Sequence, residues 1–453
     1  MSEQQLSLAI NGRERELQQR LVAFEPAPSA EDGPGRTGTV AIVGLGYVGL
    51  PTALGLRPRC ERIIGLDTSE SRLKAVSGGE VDLTEADLRR LDVARQDSAF
   101  QLTSDPALPA EADAVIVCVP TPVDEAHLPE TSALRSACAA VVANARVGQT
   151  IILTSTTYVG TTRELLAEPL RRRGFRIGHD IFVAFSPERV DPGNNAHLQH
   201  ETPRVVGGTT RECAARAARV IGKLTDHVYL VGSPEAAEAT KLYENVYRAV
   251  MLALANEFAD ICGSLDLDPI EVTLAAATKP YGFLAAFPGP GVGGHCIPCD
   301  PHYLLWQLGR EGRSAPIIER AMRSIAQRPG RVVNRVEEVL AAAGTRMTGA
   351  RILLIGVSYK PGVADLREST SLPIIDGLRE RGAQVSYHDP LVPRIRLPRG
   401  ETMHSLPWPQ RALWDLIVIH TVHPGADYGW LADRPHLLDA TYQFDLAPHR
   451  EVV

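Results

Sequence analysis

Residues 40–49 read Val40-Ala41-Ile42-Val43-Gly44-Leu45-Gly46-Tyr47-Val48-Gly49, and this stretch decides the fold. The four apolar residues predict a short buried strand, and the glycines after it form a Gly-x-Gly-x-x-Gly turn. We predict a helix over Leu50–Leu56 and a second strand over Arg62–Leu66, which ends at Asp67. A Gly-x-Gly-x-x-Gly turn alone is weak evidence. The stronger evidence is the order of elements within about 30 residues: a strand, this turn, a helix, a second strand and an acid. This order indicates a dinucleotide site.

The same stretch predicts which dinucleotide binds. Glycines let a pyrophosphate approach the helix N-terminus, and the predicted contacts are Gly44, Gly46, Tyr47, Val48 and Gly49. Asp67 is expected to accept hydrogen bonds from the adenosine ribose, and no arginine directly follows it to hold a 2′-phosphate. We therefore expect NAD rather than NADP. The alternative is a tight turn between strand and helix that binds no ligand.

Further apolar strands follow, and three of them end in polar residues. We predict these three over Ala114–Val119, Thr150–Leu153 and Asp180–Phe185, with a closing strand over Asp226–Leu230. In open parallel sheets, ligands bind beyond the carboxyl ends of the strands. Three side chains are therefore expected to meet at one edge: Thr121, Thr156 and Glu188. Taken singly, a hydroxyl in such a position more often caps a helix.

The composition excludes several classes of function. The chain has 453 residues, a formal net charge of −7, 44% hydrophobic residues and 22% charged residues. This is typical of a soluble globular protein of about three domains, and the acidic balance argues against nucleic acid or an anionic membrane as partner. No apolar run reaches the roughly 18 residues of a membrane span, and we find no signal-peptide core at the N-terminus. Seven scattered cysteines indicate a reducing compartment, so we expect a cytoplasmic protein.

Breaks in composition divide the chain into four parts. Residues 1–38 read as an extension, with a charged segment at 12–24 that favours a helix and a linker rich in Pro and Gly. We predict an NAD-binding domain over 39–232, a central helical domain over 233–345 and a smaller α/β domain over 346–453. The predicted fold class is α/β, with two Rossmann-like doubly wound domains joined by a long central helix.

The central helix is predicted from its start signal and its length. Ser233-Pro234-Glu235 supplies a cap, a proline at the first position and an acid in the first turn. No breaker follows before Gly263, which gives a helix of about 30 residues. Helices of this length often link domains and form dimer interfaces, so we expect a homodimer. Lys241 and Asn245 are four residues apart and share one face of this helix; a solvated pair is the alternative.

Residues 288–303 are rich in glycine and proline, and this stretch also contains Cys296 and Asp300. A helix starting near Ile297–Pro298 would place Cys296 at its positive end, where a thiolate is stabilised. The stretch is consistent either with an exposed nucleophile or with a glycine-rich loop around a buried thiol.

The C-terminal part repeats the strand and helix alternation, with strands expected at 351–355, 384–387 and 416–419. It lacks a Gly-x-Gly-x-x-Gly turn, so a second dinucleotide in the same pose is not expected. Lys360 and Arg367 follow its first strand and are candidates to contact the phosphates or the base of a nucleotide.

In order, these motifs resemble those of the UDP-glucose/GDP-mannose dehydrogenases, which oxidise the C6 hydroxyl of nucleotide sugars to a carboxylate with two NAD⁺. The resemblance extends from about Val40 to the C-terminus. It rests on Gly44–Gly49, Pro120-Thr121-Pro122, Ser155-Thr156, Ser186-Pro187-Glu188, Lys241 with Asn245, Gly293-Gly294-His295-Cys296 with Asp300, and Tyr359-Lys360 through Arg367-Glu368-Ser369. Residues 155–158, 188–190 and 293–298 are most similar to the UDP-N-acetylhexosamine branch.

The resemblance implies a four-electron mechanism. Hydride leaves C6 while a water held by Thr156 and Asp300, or by Lys241, takes the hydroxyl proton. Cys296 then attacks the aldehyde to give a thiohemiacetal. Oxidation of this adduct gives a thioester, which is hydrolysed by water that Glu188 activates.

The resemblance also implies binding roles. Lys241 and Asn245 are expected to stabilise the developing oxyanion, because they donate hydrogen bonds where negative charge appears. Arg367 is expected at the cofactor. The expected substrate contacts are Glu188, Arg189, Val190, Lys241, Asn245, Lys279, Gly293 and Lys360. Lys279 falls near the position where glucose-type relatives place an arginine that reaches the neighbouring subunit's site.

Two positions depart from the family's pattern. Glucose-type relatives often carry a second acid four residues after the one matching Glu188, and this chain has Pro192 there. Cys299 replaces a usually aliphatic residue and forms a Cys-x-x-Cys pair with Cys296. The simplest reading of Cys299 is a small buried side chain. A reversible Cys296–Cys299 disulfide and a zinc site with the neighbouring histidines are alternatives, and we expect no metal.

The resemblance favours UDP-N-acetylglucosamine as the substrate, then UDP-N-acetylmannosamine, with UDP-glucose or dTDP-glucose as the alternative. A two-electron hydroxyacid dehydrogenase would share the domain plan but would need no cysteine nucleophile. A nucleotide-sugar sensor would keep the pocket and lack turnover.

Overall fold

The computed structural model describes residues 23–24, 38–124, 126–189, 200–294, 296–397, 400–447 and 450–453. By its internal contacts the chain divides into two compact units, Met1–Tyr243 and Glu244–Val453. Val190 and most of the predicted N-terminal extension lie outside the described residues. The predicted domain boundaries stay predictions.

The first unit is built on one sheet, with nine strands among the described residues. They are β1 Ala23–Phe24, β2 Thr39–Val43, β3 Arg62–Leu66, β4 Phe100–Thr103, β5 Ala114–Val117, β6 Thr150–Leu153, β7 Phe182–Phe185, β8 Arg204–Gly208 and β9 Val228–Val231. Their order is β1-β9-β8-β7-β6-β5-β2-β3-β4. The β7–β8 and β1–β9 pairs are antiparallel, and the other neighbouring pairs are parallel.

Helices cover both faces of this sheet, which is why its parallel strands are continuous apolar runs. The helices are α1 Gly49–Leu56, α2 Glu70–Gly78, α3 Glu85–Arg95, α4 Ser132–Asn144, α5 Glu168–Arg172, α6 Arg211–Ile221 and the first turns of α7 Pro234–Ser264. A π-helical turn, Arg163–Ala167, leads into α5. Successive residues of β2 alternate between two apolar clusters: Ile42 packs in one and Val43 in the other.

The strand order reverses at β2, which has β3 and β4 on one side and β5, β6 and β7 on the other. In doubly wound sheets the ligand crevice lies at this reversal, beyond the carboxyl ends of the strands. The order confirms the predicted Rossmann-like fold and locates its switch point between β2 and β5.

The second unit carries a smaller sheet and several long helices. The helices are the rest of α7, α8 Pro269–Ala277, α9 Asp300–Arg310, α10 Pro316–Ala342 and α11 Ser371–Glu380. The strands are β10 Arg351–Ile355, β11 Gln384–His388, β12 Arg394–Arg396, β13 Thr402–His404, β14 Leu416–Ile419, β15 Leu437–Asp439 and β16 Glu451–Val452. The order β11-β10-β14-β15-β16 is parallel throughout and puts a second switch point between β10 and β14, while β12 and β13 form a separate hairpin.

Several predicted elements need correction. β4 and β8 were not predicted, and the strand expected over Ala114–Val119 ends at Val117. Ala23–Phe24 is a strand paired with β9, although the charged segment favours a helix there. The helix expected near Ile297–Pro298 begins at Asp300. Over the described ranges, no helix combines the length and apolar character needed to cross a membrane.

Candidate active site

The three glycines of the turn between β2 and α1 differ in how much space surrounds them. A Cβ on Gly44, whose φ is +91°, would lie 2.8 Å from the Cys118 carbonyl oxygen. A Cβ on Gly49 would lie 1.8 Å from the Gly44 carbonyl oxygen. A Cβ on Gly46 would have no described protein atom within 4 Å. Packing therefore requires glycine at 44 and 49, whereas Gly46 leaves open space of the kind that a pyrophosphate needs at a helix N-terminus.

Asp67 holds this turn as well as ending β3. One of its carboxylate oxygens accepts a hydrogen bond from the Leu45 N–H (2.8 Å), and the other accepts from the Ser69 N–H (2.9 Å). Each carboxylate oxygen has two lone pairs, so ribose hydroxyls can still donate to Asp67. Arg72, which the sequence analysis missed, donates from Nε to the Leu45 carbonyl oxygen (2.8 Å). These residues fit an NAD molecule seated on the turn.

The loops after β5 and β6 are joined at the same edge. Ser155 Oγ donates to the Val119 carbonyl oxygen at 2.8 Å. Thr121 is buried and Thr156 is half-buried. This hydrogen bond joins the two loops that carry Thr121 and Thr156, next to the switch point.

Glu188 follows β7 and is held by an arginine that the sequence analysis missed. Arg204 Nη1 contacts Glu188 Oε2 at 2.8 Å, and the arginine side chain is 2% exposed. The Arg189 N–H donates to the other Glu188 oxygen (2.8 Å), and Arg189 Nη1 donates to the Pro203 carbonyl oxygen (3.0 Å). The Glu188 carboxylate is therefore fixed in orientation by a buried cation.

In the second unit, Cys296 is exposed on a turn that leads into α9. Its carbonyl oxygen accepts hydrogen bonds from the N–H groups of Cys299 (3.3 Å) and Asp300 (2.8 Å). The exposure favours the nucleophile over the buried-thiol alternative. Cys299 is the buried member of the pair, in agreement with its simplest reading.

A buried amide and a buried carboxylate stand beside this turn. Asn245 Nδ2, on α7, donates to Asp300 Oδ2 at the start of α9, and both side chains are buried. Lys241 is half-buried and lies four residues earlier in the same helix. This hydrogen bond brings two of the predicted catalytic residues together, and the backbone N–H of one of them, Asp300, also closes the Cys296 turn.

The glycines before Cys296 pack against the segment after β10. A Cβ on Gly293 would lie 2.7 Å from the Glu368 carbonyl oxygen and 2.7 Å from Tyr359 Cβ. The Gly294 N–H donates to the Arg367 carbonyl oxygen (3.0 Å). The predicted nucleotide-binding segment, which includes Lys360, is thus adjacent to the cysteine stretch. The Arg367 guanidinium pairs with Asp365 at 2.6 Å.

The last observations concern Lys279 and possible metal ligands. Lys279 is exposed after α8, and its ammonium lies 5.0 Å from the centroid of the Tyr281 ring. Among the described residues, no cluster of three or more His, Cys, Asp or Glu side chains could hold a metal ion.

Three family models match the chain in sequence order, and together they span most of it. Residues 38–225 match the NAD binding domain of the UDP-glucose/GDP-mannose dehydrogenase family. Residues 235–326 match its central domain, and residues 353–447 match its UDP binding domain.

Individual relatives agree with these matches. UDP-N-acetyl-D-mannosamine dehydrogenase of Escherichia coli K12 is 33% identical over 349 residues, which is 75% of this chain and 82% of that protein. Protein CapL of Staphylococcus aureus is 34% identical over 355 residues, 77% of this chain and 81% of CapL. The structure of a UDP-D-ManNAc dehydrogenase from Pyrococcus horikoshii superposes with a TM-score of 0.82 at 28% identity and covers 92% of this chain and 99% of that one. With its glycine turn, strand-end residues and cysteine stretch, the chain belongs to the UDP-glucose/GDP-mannose dehydrogenase family of NAD-dependent nucleotide-sugar dehydrogenases.

Proposed function

We propose that this enzyme oxidises the C6 hydroxyl of a UDP-N-acetylhexosamine to a carboxylate in two successive two-electron steps, with Cys296 holding the aldehyde between them. The observation that carries the proposal is the exposed Cys296 thiol on a turn closed by Asp300, whose carboxylate is bound by the buried Asn245. A simpler dehydrogenase needs no nucleophile beside these groups.

Proton removal starts the first step. Thr156 and Asp300, or Lys241, hold a water that takes the proton from the C6 hydroxyl. NAD, when bound, supplies the hydride acceptor for both oxidations. Gly44, Gly46 and Gly49 seat its pyrophosphate, with Tyr47 and Val48 in the same turn, and Asp67 binds its ribose. Thr121 and Arg367 complete the cofactor contacts.

The second step depends on the cysteine. The Cys296 thiolate attacks the aldehyde carbon, and the carbonyl oxygen becomes an oxyanion that Lys241 and Asn245 stabilise by donating hydrogen bonds. Oxidation of this thiohemiacetal leaves a thioester. Glu188, oriented by Arg204, activates the water that hydrolyses it and releases the carboxylate.

The nucleotide and the sugar are bound by separate groups. Lys360 takes the phosphates, and Gly293 allows close approach of the backbone to the substrate. Arg189, Val190 and Lys279 are assigned to the same substrate.

We place UDP-N-acetylmannosamine first among the candidate substrates. The sequence resemblance favours UDP-N-acetylglucosamine, but the E. coli and P. horikoshii relatives are both named for the mannosamine sugar. UDP-N-acetylglucosamine is therefore second. UDP-glucose and dTDP-glucose remain the alternative from a different branch.

The test is the amount of NADH formed per sugar oxidised, measured with each of these four substrates. We expect about two NADH and one carboxylate per sugar. One NADH with a free aldehyde or ketone would refute the four-electron reaction. Cys296→Ala should abolish carboxylate formation and leave NAD binding unchanged, whereas the neighbouring Cys299→Ala should keep activity. Carboxylate formation by Cys296→Ala would remove the cysteine from the mechanism.

A further inference from the structure

The switch point of the second sheet, between β10 and β14, is filled by buried polar side chains. Ligands in doubly wound sheets gather at such a point. Here Asp389 follows β11 and is 2% exposed, and His423 lies just after β14 and is 3% exposed. None of the reaction steps above uses either residue. Their hydrogen bonds run to the segment 357–362, which contains Lys360.

Asp389 anchors the start of that segment. Its Oδ2 accepts from the Val357 N–H at 2.8 Å and contacts His423 Nε2 at 3.1 Å. Its Oδ1 accepts from the N–H groups of Leu391 (2.8 Å) and Val392 (3.0 Å). Burial acts to raise the pKa of Asp389, but the surrounding groups together, with the hydrogen bonds from His423, Val357 and Leu391 among them, hold the pKa below its ordinary value. Asp389 is therefore a carboxylate and can only accept.

His423 anchors the end of the segment, and its partners fix its tautomer. The Gly362 N–H points to His423 Nδ1 at 3.0 Å, and a backbone N–H can only donate, so Nδ1 must carry the lone pair. The ring proton is then on Nε2, where it is donated to Asp389. One neutral tautomer satisfies both contacts, and the other satisfies neither.

Lys360 lies between these two anchors. Its carbonyl oxygen accepts from Ser358 Oγ at 2.9 Å, and the Ser358 carbonyl oxygen accepts from Thr421 Oγ1 at 2.7 Å. The backbone on both sides of Lys360 is thus held by buried groups, while the Lys360 side chain is only half-buried.

We propose that His423 is a positioning residue for nucleotide recognition: in its Nε2–H form, held by Asp389, it fixes Gly362 and so presents Lys360 to the diphosphate of the substrate. The inference rests on the proposed function in one respect, the assignment of Lys360 to the phosphates. The proposal also requires a hydrogen-bond acceptor for the Gly362 N–H at the position of His423 Nδ1.

Two substitutions separate the two ends of the imidazole. In His423→Asn, the amide oxygen stands near the position of Nδ1 and can still accept from the Gly362 N–H. In His423→Gln, the longer side chain reaches the position of Nε2 and can still donate to Asp389, but leaves Gly362 without an acceptor. We expect His423→Gln to weaken UDP binding to the full-length enzyme about tenfold and His423→Asn to weaken it by less than about threefold, measured by isothermal titration calorimetry with UDP.

Steady-state kinetics should show the same order. The KM for the nucleotide sugar rises in His423→Gln, while the KM for NAD and kcat stay near the wild-type values, because the loop affects substrate binding alone. Tyr387→Phe is the matched control: it removes a buried hydrogen bond to the Val392 carbonyl oxygen in the same core and removes no hydrogen bond of residues 357–362. This control should bind UDP as the wild type does.

Equal loss of UDP affinity in the Asn and Gln variants, or no loss in His423→Gln, would overturn the positioning role. Lys360→Ala separates the role of Lys360 at the phosphates from the role of His423. If Lys360→Ala weakens UDP binding and His423→Gln does not, only the inference about His423 fails. If Lys360→Ala binds UDP normally, the phosphate assignment fails and takes the inference with it.

Discussion

Two glycines in the turn after β2 are predicted to respond in opposite ways to the same substitution. Gly49→Ala places a methyl group 1.8 Å from a carbonyl oxygen, so it should destabilise the fold by about 3 kcal/mol or more. Gly46→Ala meets no described protein atom within 4 Å, so its unfolding free energy should stay within about 0.5 kcal/mol of wild type. Its methyl group enters the space assigned to the pyrophosphate, so NADH affinity should fall. Urea unfolding and NADH fluorescence titration measure the two effects. Normal NADH binding by Gly46→Ala would contradict the assigned cofactor position.

Glu238, near the start of α7, is buried in the first unit and binds the loop after β6 through hydrogen bonds. Its carboxylate accepts hydrogen bonds from the Gly160 N–H (2.6 Å), the Thr162 N–H (2.8 Å) and Thr162 Oγ1 (2.6 Å). Burial is the largest influence and raises the pKa of Glu238 to about 7 from an ordinary 4.5, against the lowering effect of these hydrogen bonds.

This raised pKa predicts a slope in stability against pH. Between pH 4.5 and about 7 the folded state keeps a proton that the unfolded chain has lost, so the contribution of Glu238 to stability falls as pH rises through this window. The fall amounts to about 3 kcal/mol. The difference in unfolding free energy between wild type and Glu238→Gln should therefore change by about that amount over the window. Denaturant unfolding at a series of pH values provides the measurement.

Glu235→Gln is the control for this slope. Glu235 lies one helical turn earlier and pairs with Arg163 at 2.7 Å, at a partly exposed site. Burial acts to raise the pKa of Glu235, but the hydrogen bonds from Arg163, Ser233 and the backbone, together with the charge of Arg163, lower it overall, so its titration lies below pH 4.5. The difference between wild type and Glu235→Gln should stay flat from pH 5 to 7. A flat profile for Glu238→Gln as well would contradict the predicted ionisation.

At the scale of elements, α7 presents an exposed apolar stripe in the second unit. Along α7, the side chains at spacings of seven, four and three residues are each exposed by 40% or more: Tyr247, Leu254, Phe258 and Ile261. Leu265, just past the end of the helix, is also exposed. Solvent-exposed apolar side chains in helical register are typical of a helix–helix interface. They support the homodimer expected from the sequence, and the opposite face of α7 packs into the core through Ala249 and Ala253.

Phe258→Asp should therefore convert the expected dimer to a monomer, because it would place a charge in the predicted interface. Light scattering coupled to size-exclusion chromatography gives the mass directly. Val93→Asp is the matched change, since Val93 is an exposed apolar residue on α3 in the first unit, and it should leave the mass unchanged. A dimer that persists in Phe258→Asp would place the interface elsewhere.

The sequence predicts the β2–α1–β3 unit well because its apolar runs and its glycines carry local signals. It misses β8, whose five residues include Gly207-Gly208, because glycine is depleted in strands. In the structure these glycines serve close packing instead: a Cβ on Gly207 would lie 2.1 Å from the Ser233 carbonyl oxygen, and one on Gly208 would lie 2.2 Å from the Ala214 nitrogen. Side-chain pairs such as Glu188 with Arg204 join distant parts of the chain, so no local pattern predicts them.

At the scale of the whole molecule, the two units should respond to different ligands. NAD should slow amide hydrogen exchange mainly over residues 39–67, and UDP mainly over residues 357–362, because each ligand stabilises the segments that it contacts. Mass spectrometry of peptides from the full-length enzyme resolves the two regions. Gly46→Ala should lose the protection by NAD and keep the protection by UDP. If UDP, added without NAD, slowed exchange over residues 39–67, the assignment of the two sites would be wrong.

The sequence predicts the order of the domains along the chain better than it predicts which segments contact each other. It assigns the cysteine stretch and the segment around Tyr359 to different domains, yet Gly293 and Gly294 pack directly on Tyr359. The glycine content signals that something approaches the backbone there, but the identity of that neighbour depends on the fold of the second unit.

The burial of the thiols has a practical consequence. Cys296 is the exposed cysteine among the seven, all of which lie in described parts of the chain. Burial raises the pKa of the Cys118 and Cys138 thiols to about 12, so these side chains are poor nucleophiles near neutral pH. A maleimide should therefore add once per chain under native conditions, and prior occupancy by a nucleotide sugar should block the addition. The mass of the adduct then serves as an active-site titrant, which counts competent enzyme molecules in a preparation before any turnover is measured.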